Sequence, residues 1–81
     1  MIKIKQIKIL DGFKISLVFE NNEKKIFNLS PYLEKGVFQE LKNPSYLKKV
    51  KNEGFFISWP HEQDLSSDTL YLEGRSTDKT K

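Results

Sequence analysis

The chain has no cysteine, three prolines and four separated glycines. Without cysteine there is no disulfide framework, no thiolate nucleophile and no Cys-based zinc site, a pattern that fits a reducing compartment. Phosphate-cradling loops need clustered glycines ahead of a helix, and here the four are scattered. A single histidine, His61, leaves little for a Ser-His or Cys-His pair to be built from. Long apolar runs are also missing. The opening Met1-Ile2-Lys3-Ile4-Lys5 alternates apolar and basic residues, whereas a signal peptide needs a continuous apolar stretch. No stretch approaches the length of a membrane span, so a cytoplasmic location is expected.

What is present is enough for one core. The 81 residues include six Phe, three Tyr and one Trp, and a domain this small must commit nearly every large apolar side chain to its interior. The net charge of +3 hides an asymmetry: residues 1–51 carry 11 Lys against 5 acids, and residues 52–81 carry 3 basic groups against 6 acids. Arg75 is the only arginine, which disfavours bidentate recognition of bases or phosphates. A lysine-rich half is more simply a solvated surface, with nucleic-acid binding through that half as the alternative.

Periodicity outlines an α+β domain. Ile2 and Ile4, then Ile7 and Ile9, alternate with polar residues, and the slip between the pairs requires a bulge near Lys5 and Gln6. A three-residue loop at Asp11-Gly12-Phe13 sets Ile9 opposite Ile15 and Ile7 opposite Leu17, keeping like with like, and leaves Ile4 to reach Phe19. Asn21-Asn22 reads as a two-residue hairpin turn that places Ile26 opposite Leu17. Two proline-initiated helices follow: Ser30-Pro31, closed near Gly36, with Leu33, Val37 and Leu41 on one side, and Asn43-Pro44, running to about Lys51. Phe55–Trp59 reads as a fourth strand, residues 61–68 as a polar loop, and Thr69–Leu72 as a short turn or strand. The expected architecture is therefore a small antiparallel sheet, a three-stranded meander plus a fourth strand, with two short helices on one face. Residues 1–72 form the domain and residues 73–81 a flexible tail.

Candidate chemistry is thin. His61-Glu62-Gln63-Asp64 holds three metal-capable side chains, but a helical zinc motif needs a second histidine four positions on. No catalytic, cofactor or metal residue is assigned. Trp59-Pro60 beside a polar loop is a better lead, because tryptophan anchors interfaces and loops on rigid scaffolds bind. The candidate interaction surface comprises Tyr32, Trp59, Pro60, His61, Asp64 and Tyr71.

The order of segments resembles the bacterial DUF2442 family. It is carried by Phe19-Glu20-Asn21-Asn22-Glu23, by Phe27-Asn28-Leu29-Ser30-Pro31-Tyr32-Leu33, by Gly36-Val37-Phe38 with Leu41 and Pro44, by Trp59-Pro60 and Asp64-Leu65, and by Asp68-Thr69-Leu70-Tyr71. Together these span about residues 1–72. The resemblance implies a small α+β domain of unknown biochemical function. Some relatives resemble accessory regulators, fused to a helix-turn-helix or encoded beside another small protein. It thus implies a non-catalytic interaction module, one half of a toxin–antitoxin-like pair, whose partner is a protein encoded nearby. Two features depart from the pattern: no helix-turn-helix follows residue 72, and His61-Glu62 stands where the family usually has Asn-Gly.

Overall fold

A computed structural model describes residues 1–77. Strands β1 (Ile4–Leu10), β2 (Lys14–Phe19) and β3 (Lys24–Asn28) form an antiparallel meander. The first hairpin has the expected register, with Ile9 opposite Ile15, Ile7 opposite Leu17 and Ile4 opposite Phe19, and the ladder slips between Ile4 and Gln6. That bulge lets both isoleucine pairs face inward. It also frees the backbone of Ile4, whose N–H donates to Gly54 O at 2.7 Å and whose carbonyl accepts from Asn52 Nδ2 at 3.0 Å.

The second hairpin differs from expectation by one residue. Phe19 N–H donates to Glu23 O and Asn22 N–H to Phe19 O, so the loop is Glu20-Asn21-Asn22, with Asn22 in the left-handed region at φ 69°. Ile26 therefore lies opposite Ser16 rather than Leu17, and Phe27 lies opposite Ile15. Pairing the two inward residues buries Phe27 and turns Ile26 to the outer face.

The fourth strand is also reassigned. The Phe55–Trp59 segment contributes β5 (Phe56–Ser58) to a separate antiparallel sheet, between β4 (Lys51–Asn52) and β6 (Asp64–Ser66). The strand that completes the meander is β7 (Arg75–Ser76), paired with β3. Residues 73–77 are thus part of the fold, not a tail; the rest of the expected tail, residues 78–81, lies outside the described residues. Gly74 makes the sharp entry into β7 possible. A Cβ there would sit 2.5 Å from Leu70 O, closer than real Cβ atoms approach, and a tight 3.2 Å from Lys25 Cβ.

Between the sheets the chain is mostly 3₁₀. Ser30–Tyr32 is a single 3₁₀ turn in which Ser30 does not cap; its N–H donates to Asn28 Oδ1 at 3.1 Å. Gly36 opens a 3₁₀ helix, Gly36–Lys42, instead of ending one. At three residues per turn, four-residue spacing does not stay on one face. Leu41 is buried and Phe38, three residues before it, half-buried, while Val37 points outward at 63% exposure. Asn43 does cap helix α1 (Pro44–Leu47), accepting from Ser45 N–H at 3.0 Å, but the helix stops early because Lys51–Asn52 joins the second sheet. Residues 61–68 are not a loop: they finish a tight turn, form β6, and lead into α2 (Ser67–Glu73), which Ser66 caps by accepting from Thr69 N–H. Residues from both sheets and the helices, including Leu17, Phe19, Leu41, Ile57, Trp59 and Leu70, share one core. Among the described residues, no helix is long and apolar enough to cross a membrane.

Candidate functional site

The β5–β6 hairpin turns at Pro60-His61-Glu62. Trp59 N–H donates to Gln63 O at 3.0 Å and Glu62 N–H to Trp59 O at 3.1 Å. Proline suits the first turn position because its φ is preset. Glu62, the third, is left-handed at φ 76°, a conformation that disfavours residues with a Cβ. All three hairpins of 3-residue loop length place a non-glycine residue at positive φ in that last position: Phe13, Asn22 and Glu62. Trp59 is not a surface anchor. It is 3% exposed, and its indole N–H donates to Leu47 O at 2.9 Å, satisfying the end of α1.

Beneath the turn lies a polar group that the sequence did not announce. Gln63 is 1% exposed. Its Oε1 accepts from Tyr46 OH at 2.7 Å, and its Nε2 donates to Val37 O at 2.8 Å and Glu40 Oε1 at 3.1 Å. The Tyr46 hydroxyl in turn accepts from His61 N–H at 2.8 Å. The His61 ring stacks on Tyr46 with centroids 5.2 Å apart, and its Nδ1 lies 2.7 Å from Glu40 Oε2. The hydrogen bond from His61 holds the Glu40 carboxyl below its ordinary 4.5, reinforced by Gln63 and by the charge of His61 and opposed by desolvation. Tyr46 reads in the sequence as an apolar inner-face residue, and Glu40 carries no local signal. The one signal for Gln63 is parity with the strand it leads into: it stands two residues before inward Leu65 of β6 and is buried on the same side.

The remaining candidates sit elsewhere. Tyr32 donates its hydroxyl to Glu73 Oε1 at 2.6 Å and packs against Phe27 and Phe38, with centroids 5.6 and 5.7 Å away. The hydrogen bond to Glu73, then burial and the Glu73 charge, push its hydroxyl up to about 12. Tyr71 meets Phe19 edge-on at 5.2 Å under Lys25, whose Nζ is 4.2 Å from the ring centroid and donates to Tyr71 O. Hydrogen bonding to Glu23, then burial and the Glu23 charge, raise its hydroxyl, with Asn21 opposing. Both tyrosines anchor α2. The six predicted residues therefore form two groups: Tyr32 and Tyr71 around α2, and exposed Pro60, His61 and Asp64 above buried Trp59.

Two residues absent from the sequence prediction complete the second group. Phe55 and Phe56 are 46% and 41% exposed. Phe56 lies opposite Ser66, and Ser58 lies opposite both Asp64 and Lys51, so these side chains share the outward face of the second sheet. A cleft of about 330 Å³ lined by Lys49, Lys51, Glu53, Ser58, Trp59 and Pro60 adjoins it. Among the described residues, no three His, Cys, Asp or Glu side chains come together to hold a metal ion.

Two outcomes follow from this geometry. Replacing Glu62 by glycine removes the left-handed penalty and should raise stability by up to about 1 kcal/mol, after the extra chain entropy of glycine is discounted; urea denaturation checks it, and a loss of stability contradicts it. Glu40 has a depressed folded-state pKa, so its contribution is present above the ordinary value of 4.5 and disappears as pH falls through the folded value. Thermal melts of wild type and Glu40→Gln should therefore differ near neutral pH and converge in acid; a constant gap across that range contradicts the coupling.

A family model described as "Protein of unknown function (DUF2442)" matches residues 4–76, which includes the β7 pairing that closes the first sheet. Neither a curated protein nor a solved structure matches the chain. With nearly the whole folded unit covered by that match, the chain belongs to the DUF2442 family.

Proposed function

We propose that the domain is a non-catalytic protein-interaction module, the regulatory member of a toxin–antitoxin-like pair whose other member is a small protein encoded beside it. The observation that carries this reading is the exposure of two consecutive aromatic residues, Phe56 on the outward face of the second sheet and Phe55 in the bend that leads into it. Burying the remaining exposed surface of each ring is worth on the order of 2 kcal/mol. Lys51, Glu53 and Asp64 supply the polar rim that usually surrounds such an anchor. The occupant is an apolar side chain of the partner, seated on the exposed aromatic residues at the start of β5, the end of the strand away from the Pro60-His61 turn. Polar groups under that turn are engaged with one another, so they serve its shape.

Co-expression of the tagged chain with the adjacent gene product should yield a complex that survives size-exclusion chromatography. A Phe55→Ser/Phe56→Ser variant should retain its melting transition and lose the complex. A wild-type chain that elutes alone, or a variant that binds as well as wild type, contradicts the reading.

A further inference from the structure

The register of the four-stranded sheet places its cations in a pattern that the linear sequence hides. Ile15 and Leu17 face the core, so Lys14, Ser16 and Val18 of β2 face outward. Their cross-strand partners share that face. One row crosses all four strands as Lys8, Ser16, Ile26 and Arg75; the row on one side is Gln6, Val18 and Lys24, and the row on the other is Leu10, Lys14 and Asn28. Lys8, Lys14, Lys24 and Arg75 therefore surround a centre of Val18, Ser16 and Ile26, each half-buried. At the usual strand spacing, Lys8 and Arg75 are about 14 Å apart. These rows contain no carboxylate, and none of the four cations forms an ion pair among the described residues. One acid on the rim is Glu73, which lines a cleft with Arg75 and Lys14, and its carboxylate already accepts the Tyr32 hydroxyl.

We propose that this face docks an acidic segment of a partner protein, one that sets an aliphatic side chain on Val18 and Ile26 and carboxylates on the surrounding cations. Charge complementarity selects the acid, since four cations with no ion pair among the described residues favour an anionic partner. The apolar centre selects a peptide over a nucleic acid. A phosphate backbone laid across Val18 and Ile26 would lose hydration against side chains that offer it no hydrogen bond, and the face lacks the aromatic platform on which unpaired bases stack. This surface lies on a different sheet from Phe55 and Phe56, so either proposal can fail while the other stands.

The test titrates the ¹⁵N-labelled chain with a peptide that alternates Asp-Glu pairs with Leu, at low and at physiological salt. A poly-Glu peptide, a single-stranded oligonucleotide and a duplex are titrated in parallel. The expected result is saturable shifts centred on Val18 and Ile26, with affinity lowered about tenfold or more in Lys8→Glu/Lys24→Glu, whose spectrum reports that it remains folded. Removing the leucines should weaken binding by a similar factor. Absence of binding at low salt, indifference to the charge reversal, or equal binding of poly-Glu overturns the proposal. Tighter binding of either oligonucleotide to the same residues also overturns it and assigns the face to nucleic acid.

Discussion

A buried carboxamide carries the organisation of this domain's second half. Gln63 cannot be removed from water cheaply unless each of its polar atoms finds a partner, and the fold supplies them from two separate segments. Val37 and Glu40 come from the 3₁₀ helix, and Tyr46 comes from α1. Satisfying one side chain therefore fixes where both helical pieces lie against the β5–β6 hairpin. The Trp59 indole adds a second fixed point by closing on Leu47 O. Apolar burial drives the collapse, but these directional bonds decide how the hairpin sits in it.

The consequence for function is a rigid turn on a very small scaffold. Pro60 and His61 are held from below by Tyr46 and from the side by Glu40, so they present a defined shape at the end of the second sheet. The exposed His61–Glu40 pair contributes little energy by itself, since surface ion pairs seldom do. Its role is orientation. The two sheets then offer different surfaces: the second is aromatic with a mixed rim, and the first is uniformly cationic around an aliphatic centre. Ile4 links them through its hydrogen bonds to Gly54 and Asn52, so the bulge beside it joins both faces in one body.

Local chemistry made much of the fold legible. Hydrophobic parity alone specified the bulge near Lys5 and the register of the first hairpin, because a one-residue slip would have turned every isoleucine to solvent. Asn43 capped where expected, since capping depends only on neighbouring residues. The second hairpin departs from the two-residue turn that Asn-Asn suits because burying Phe27 opposite Ile15 requires three residues. That gain is cross-strand and outweighs the turn preference. The strand at Arg75–Ser76 has no apolar pattern, and it follows Gly74, where a side chain would meet Leu70 O. The candidate site was legible only in part. Pro60, His61 and Asp64 are exposed as expected, but Trp59 is core, and the partners that shape the turn lie 15 to 26 residues away in sequence.

The claim on which this account depends is that Tyr46 and Gln63 act as one unit. A double-mutant cycle measures it: Tyr46→Phe, Gln63→Leu and the double variant, each followed by urea denaturation. Either single change strands its partner's buried polar group and should cost about 1–3 kcal/mol, whereas the double change removes both ends of that bond and should cost clearly less than the sum of the two. Additive losses would mean that the two side chains are stabilised independently and that the hairpin is not held through their hydrogen bond.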